Sequence, residues 1–555
     1  MDFFADMGEL EDAFVGDTEG KMKDPSPLVT LPPELIVDIF LFTFSSDWSK
    51  ETAYSLDPKQ PNYGEDFSRA RRIWRSLQNY MLTCQYWRDV ALQAPILWRN
   101  VHFGRGIAQK VTETMLSRSG ETPIRLTAAF KKDTVANMTM LLPHLARVTH
   151  LHLRIADFPA EEGVKEDIPM LQHLVVSCRS GMARKPHTSL PLLSKTSLLP
   201  DLILLHAYMV SLHHIQPFLR STIRHLYVTG LDCSIKDLMF ALEALPVLER
   251  LAIEALHTPE EDDALQTAEL PHVNFPKLAA CYISSDVIPI FSHIAFPDQV
   301  ITSHEFSLKL WRCSDQEVLE VVKLLLERLS SIDDEVMAEM LERDSLEIQL
   351  DWTGDNRTSD LDIDILTPRG DYKRSLLSCY SDDELHIKDI LDEMKISASP
   401  FFKSHVRHLD ITSHKCHDST YSELLADLTG LQSLKLNRTP GIVAHLVSAH
   451  QESPEPTSPM STLKRLTLVE AKFRQHPPDD PEYEPDEDEL IWALRDMLKA
   501  RKADGHPLQS LRVFKGVHFG EADVRMLQEY VTEEVVWDGR AMSVDLEHHL
   551  RGLGL

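Results

Sequence analysis

The sequence predicts a mixed α/β repeat architecture, in which a small all-α unit precedes a long, irregular solenoid of strand–helix repeats. Three observations carry this. A chain of 555 residues is too long for one compact core. Between residues 31 and 98 apolar side chains recur at helical spacing. From about residue 140 onward, the short template L-x-x-L-x-L returns again and again.

Residues 1–24 hold eight acids against Lys21 and Lys23 and read as a flexible acidic arm. Two prolines in the next stretch mark a boundary, so the helical unit is expected over 25–103. Pro32 and Pro33 suit the first turn of a helix, and Glu34 suits its positive end. Leu35, Ile36, Ile39 and Phe40 then share one face. Residues 45–67 break this periodicity with Pro58, Pro61 and Gly64 and are expected to form an inserted loop. A second helix is expected from Ile73, Leu77, Tyr80, Cys84, Trp87 and Ala91, spaced 4-3-4-3-4, with Pro95 ending it before Leu97 and Trp98.

Residues 104–140 are expected to be a connector or cap. The repeats follow over 141–555, at Val148-Leu151-Leu153, Leu171-Leu174-Val176, Leu202-Leu205-Ala207, Ile223-Leu226-Val228, Leu248-Leu251-Ile253 and Leu278-Cys281-Ile283. They continue at Val406-Leu409-Ile411, Leu431-Leu434-Leu436, Leu463-Leu466-Leu468 and Leu511-Phe514-Gly516. Amphipathic stretches at 235–245, 315–329, 421–428 and 488–502 lie between them. A strand and a helix every 20–30 residues is the pattern of a leucine-rich-repeat-like solenoid. Variable steps and the absence of Asn or Cys at the ninth position mark it as irregular. Residues 340–400 depart furthest, with strand-like LEIQLDW and DLDIDIL.

The total charge, 57 − 86 = −29, argues against a general nucleic-acid binder. Seven scattered cysteines do not read as a disulfide framework. The acidic N-terminus does not resemble a secretory signal, and no stretch is long and apolar enough to span a membrane. A cytoplasmic or nuclear location is therefore expected.

Chemistry-bearing motifs fail on their spacing. Gly16 to Lys21 has three residues between its glycines and no hydroxyl after the lysine, so it is not a phosphate loop. Asp360, Asp362 and Asp364 begin like a calcium loop, but Ile365 replaces the required glycine, and alternation favours a strand. His414, Cys416, His417 and Asp418 form one local cluster that a loop explains more simply than a metal. No cofactor, metal or catalytic residue is expected.

Residues 31–103 resemble an F-box domain, through the opening LPPELIVDIF, the later LTCQYWRDVA and the closing APILWRNV. The resemblance implies an F-box-like fold that docks a Skp adaptor within a cullin-based ubiquitin ligase. It assigns adaptor docking to Leu31, Pro32, Glu34, Leu35, Ile39, Phe40, Trp87, Pro95, Leu97 and Trp98. Leu82, Cys84 and Leu92 match the same motif. The bland reading of these side chains is a helical cap for the solenoid. An F-box followed by leucine-rich repeats is also the layout of many fungal F-box proteins. It implies a substrate receptor, with a non-catalytic repeat scaffold or regulator as the alternative.

If the intervening template positions line one exposed face, that face reverses the chain-wide charge. Arg224, Arg250, Arg407, Lys435, Lys464, Arg465, Arg512 and Lys515 stand against Glu249 and Asp410. His150, His152, His173, His206, His225 and His408 join them. The candidates for holding a client protein are His150, His152, Arg224, Tyr227, Arg250, Arg407, His408, Lys435, Lys464 and Arg465. The client expected from this charge is acidic or phosphorylated. An acidic loop over 476–489 is a candidate competitor for the same face.

Overall fold

Two prolines set where the first helix starts. In the computed structural model, α1 (Pro33–Thr52) opens with the Pro32 carbonyl accepting the N–H groups of Leu35 and Ile36, at 3.1 and 3.2 Å. The structure describes residues 31–52, 76–104, 109–130, 139–155, 167–178, 199–254, 270–284, 287–302, 306–311, 315–332, 345–353, 358–366, 373–381, 406–412, 428–437, 462–474 and 490–539. It adds Leu193, Leu256 and Leu425 singly. Helix α1 corrects the expectation of a loop starting at residue 45. The stretch from Ser45 to Thr52 loses the apolar period but contains no Pro or Gly, so no backbone breaker stops the helix there. Residues 53–67 lie outside the described residues.

The second expected helix is two helices. One covers residues 76–81, and α2 (Gln85–Gln93) follows. Cys84 between them is extended, at φ −162° and ψ 166°, and its sulfur accepts the Trp87 N–H at 3.5 Å as an N-cap. The 4-3 seam survives this break because both helices lay it against α1. Phe40 stacks on Tyr80 with ring centroids 4.7 Å apart and meets Trp87 edge-on at 5.4 Å. The Tyr86 hydroxyl donates to the Leu31 carbonyl at 2.8 Å. A 3₁₀ turn, Pro95–Trp98, follows, and Trp98 Nε1 donates back to the Ala91 carbonyl at 2.8 Å.

The chain forms two units, one of Met1–Tyr282 with His293–Phe296, the other of Ile283–Ser292 with Pro297–Leu555. In the first, β1 (Asn100–Gly104), β2 (Ile124–Phe130), β3 (Val148–Ile155), β4 (His173–Cys178), β5 (Leu204–Tyr208), β6 (His225–Thr229) and β7 (Arg250–Glu254) pair consecutively in parallel. The short pair β8 (Val273–Asn274) and β10 (Ile294–Ala295) flanks β9 (Ala280–Ser284) in sequence. Helices α3 (Gln109–Arg118) and α4 (Ile235–Glu243) connect strands. The ladder thus begins at Asn100, inside the range expected to be helical, and residues 104–140 contribute α3 and β2 to it.

The core of this unit follows from period-two alternation. Val101, Leu126, Leu151, Leu174, Leu205, Leu226 and Leu251 stand in register across seven strands, all buried. At the end of β1, Gly104 has φ +93°, and a Cβ there would lie 2.0 Å from the Ala129 carbonyl oxygen. Gly104→Ala should therefore cost of order 1–3 kcal/mol in urea unfolding, and a cost near zero would place this turn differently.

In the second unit β11 (Phe306–Trp311) is followed by α5 (Asp315–Ser331) and then by β12 (Ser345–Thr353), β13 (Thr358–Leu366) and β14 (Lys373–Ser381). These last three pair antiparallel in sequence, which is the irregularity read in 340–400. Strand β12 also pairs in parallel with β15 (Val406–Thr412), and β14 with β11. From β15 a parallel ladder runs through β16 (Ser433–Asn437), β17 (Arg465–Val469), β18 (Ser510–Phe514) and β19 (Glu534–Trp537). Helices α6 (Leu490–Ala503) and α7 (Glu521–Gln528) flank β18 in sequence. Of the helix expected over 421–428, only Leu425 and Leu428 are described.

Register corrects the last repeat. Leu466 pairs with Leu511 and Leu468 with Val513, so the copy is Leu508-Leu511-Val513, not Leu511-Phe514-Gly516. Phe514 and Gly516 fit the apolar spacing, but the strand has ended at Phe514. The fold is a mixed α/β one, rich in parallel sheet, with no closed barrel among the described strands. Among the described residues, no helix is long and apolar enough to cross a membrane.

Candidate functional site

The helical surface. Alternation along α1 divides the residues assigned to docking. Ile36 and Phe40 point inward and are fully buried. Leu35 and Ile39, on the other side of the same two turns, remain 49% and 38% exposed, and Leu82 at the turn before α2 is 51% exposed. Phe42 adds a largely exposed ring one turn further along α1. Pro32 and Glu34 are exposed, and Leu31 and Pro95 are half-buried or exposed at the edges of the unit. Trp87, Leu97 and Trp98 are buried in the unit's core, as is Phe40, so any part they play in docking is to hold α1 in place. Among the described residues, the exposed large aliphatics of the unit are thus gathered on α1 and the turn before α2, where isolated exposed leucines would need no explanation.

The sheet face of the first unit. Opposite the core row, register aligns Asn100, Arg125, His150, His173, Leu204, His225 and Arg250. Two residues on, it aligns His102, Thr127, His152, Val175, His206, Tyr227 and Ala252. His102 and Arg125 escaped the sequence reading because β1 and β2 lack the repeat template. His206 and Tyr227 are buried, with rings 5.7 Å apart, and do not present an open surface.

Three of these imidazoles, His150, His173 and His225, are held toward the neutral form. The His150 and His173 rings lie 4.2 Å apart. Burial, and then the neighbouring His173, Arg125 and Arg99, hold the His150 pKa down at about 3. His173 and His225 are lowered too, first by burial and next by Arg125 and Arg250 respectively. The sign follows: the folded protein keeps His150 neutral, whereas the unfolded chain takes up a proton below about pH 6.5. Stability present above pH 6.5 is lost as pH falls toward 3. His150→Gln should shrink the drop in urea midpoint between pH 7 and pH 5; an unchanged drop would mean the ring is already solvated.

The second unit. Arg407 is the residue passed over where the β12–β15 register shifts, and Lys464 precedes β17, so neither lies in the regular alternation that carries His408 and Arg465. Counting all three intervening template positions as one face overlooked this alternation. Arg224, Arg407 and Lys464 stand instead at the N-terminal ends of their strands. Arg224 lies 3.4 Å from Glu249, and Lys435 on the sheet face is bound to the buried Asp410. Arg512 lies 3.6 Å from Glu534, and Lys515, beyond β18, reaches Glu470 at 2.9 Å. Arg465 is exposed, and its charge, after burial and ahead of Arg407, helps keep the His408 pKa down at about 4.

The strand ends frame a polar groove of about 580 Å³ between Arg407, Gln432, Lys464, Gln509, His506 and Thr532. The ladder places the first four, since the Gln432, Lys464 and Gln509 N–H groups donate to the carbonyls of Arg407, Gln432 and Lys464, each at 2.8 Å. The end of α6 places the fifth. Gly505, at φ +82°, closes the helix, with its N–H on the Lys502 carbonyl and the His506 N–H on the Arg501 carbonyl. Arg501 anchors that end from inside, donating to the Leu463 carbonyl at 2.7 Å, and burial brings its pKa to about 10.

Cys84, Cys178, Cys233 and Cys281 are free thiols, and burial pushes Cys178 up to about 12, which makes it an inert core group. The segments 16–21, 414–418 and 476–489 lie outside the described residues. Asp360, Asp362 and Asp364 sit at alternate positions of β13, in strand rather than loop. No protein-family model matches the chain, and no curated protein matches it.

Proposed function

We propose that this chain is the substrate receptor of a Skp-cullin-F-box type ubiquitin ligase, working in the cytoplasm or nucleus and performing no chemistry itself. Residues 31–103 would hold the adaptor, and an irregular leucine-rich-repeat-like solenoid beyond them would hold a client. Bound in this way, a client gains effective concentration beside the ubiquitin-charged enzyme.

The observation that supports this reading most is the split along α1. The resemblance to an F-box assigns Leu35 and Ile39 to adaptor docking, and both are exposed on a helix whose other face is locked by Phe40, Tyr80 and Trp87. A preformed helix with an apolar outer stripe suits a helix-packing partner, because its ordering cost has already been met within the unit. Parallel strand–helix repeats in both units support the second half of the reading.

The test is co-purification of the full-length protein with a Skp adaptor and cullin. Retention of both supports the receptor reading, and an adaptor that never co-purifies ends it. Retention of the adaptor with no effect on the level of any captured client favours a scaffold or regulator.

A further inference from the structure

Positive charge gathers where the first strands of the first unit begin. Arg99 immediately precedes β1 and Arg125 is the second residue of β2. The Arg125 N–H donates to the Arg99 carbonyl at 2.8 Å, which sets the two residues on adjacent rungs. Register carries the row of Arg125 on through His150 and His173. The two rows beyond it, across β1 to β4, hold Arg154, His102 and His152 but no Asp or Glu.

The local field is one-signed. Burial, and then Arg125, lower the Arg99 pKa, and Arg125 and Arg99 both act downward on His150 with no acid acting upward. Elsewhere in the unit arginines have carboxylates near them: Arg224 lies 3.4 Å from Glu249, and Glu121 raises the Arg147 pKa. At the strand starts, Arg99 Nε and Asn100 Oδ1 are buried with no hydrogen-bond partner among the described residues. Two guanidinium groups half-removed from water side by side are costly, and carboxylates laid against them offset that cost through charge-assisted hydrogen bonds.

Residues 1–24 supply that chemistry within the same unit, with eight acids against two lysines. They and residues 25–30 lie outside the described residues, and the described chain starts at Leu31, whose carbonyl accepts the Tyr86 hydroxyl in the helical unit just before β1. Thirty residues can span up to about 100 Å, against roughly 15 Å across four strands, so reach does not limit the contact. We propose that the acidic N-terminal arm folds back onto the starts of β1–β4, with its carboxylates on Arg99 and Arg125. Tethering gives the arm an effective concentration on the order of millimolar, so it occupies the face even through weak individual contacts. Any other ligand of this face must first displace it. The contact stands apart from the receptor reading; only the consequence that a client would compete with the arm rests on that reading.

The probe is a fluorescent peptide of residues 1–24, titrated at about 50 mM salt, where exposed charges are weakly screened. It is added to the full-length protein and to a full-length variant whose eight arm acids are replaced by their amides. The variant, with its face vacated, is expected to bind the peptide at least about tenfold more tightly than the natural chain, whose own arm competes. Arg99→Gln with Arg125→Gln in that variant should abolish peptide binding, and Lys110→Gln should leave it intact; circular dichroism verifies that each protein is folded. Equal affinity for the natural and the arm-neutralised protein, or binding that survives loss of both arginines, overturns the proposal. A deficit in the natural chain that emerges only as its own concentration is raised overturns the intramolecular half and makes the arm a contact between two copies. Adaptor capture through α1, measured on the same samples, reports on the receptor reading separately.

Discussion

Leu35→Asp combined with Ile39→Asp should abolish capture of a Skp adaptor while leaving the protein folded. Both side chains are exposed and on one side of α1, so an aspartate at either position enters water in the free protein and costs little. In a complex the same carboxylates would be buried against apolar surface without a partner. Buried anchors of an interface commonly carry about 2 kcal/mol or more each, so the pair should weaken docking by roughly three orders of magnitude. Adaptor pull-down beside a thermal melt checks both halves. Unchanged capture would mean the stripe is not the docking surface. Phe40→Ala provides the contrast: with that ring fully buried between Tyr80 and Trp87, truncation should cost about 3–5 kcal/mol of stability, and any loss of capture would follow from loss of α1.

Arg474→Leu should remove about 3–5 kcal/mol of stability from the second unit, the range expected when one member of a buried ion pair is deleted. Arg474 and Asp523 are 5% and 4% exposed. The guanidinium grips the carboxylate with both terminal nitrogens, and one of them also donates to the His518 carbonyl at 2.8 Å. Asp523 in turn accepts the Gly520 N–H at 2.9 Å and so caps α7. Leucine at position 474 leaves that carboxylate buried with one backbone donor in place of a cation. Adding Asp523→Leu should restore part of the loss, because an apolar pair has no charge to desolvate. Urea unfolding of both variants decides it; a loss below about 1 kcal/mol would mean the carboxylate reaches water.

Much of the layout was legible from spacing. Each copy of L-x-x-L-x-L overlaps a strand, because alternating leucines are what a parallel strand against a core requires. The aromatic seam of the helical unit was legible too, although Cys84 interrupts its helix. A capping side chain in an extended residue changes the backbone without changing which face the neighbours share, so periodicity alone cannot see it. Strands β1 and β2 were missed for the opposite reason. Their register partners supply the apolar context that NVHFG and IRLTAAF do not advertise.

The candidate groove was less legible. Arg407 and Lys464 were singled out for their charge, but on the wrong face. Their neighbours Gln432, His506 and Gln509 come from other repeats and from the closing turn of α6, which only the ladder brings together. The histidines show the same limit. Six of them recur at matching template positions in the sequence, yet burial and nearby arginines, not residue type, determine that His150 and His408 stay neutral.

Composition and period, acting through the local rules that place apolar side chains inside and proline at helix starts, were enough by themselves to determine a helical unit followed by strand–helix repeats. The tertiary structure alone decided which cations remain available. Lys435 and Arg224 meet acids across the ladder, whereas Arg407 and Lys464 line a groove with no carboxylate among its described residues, and pairing between residues distant in sequence depends on register, which no local pattern encodes.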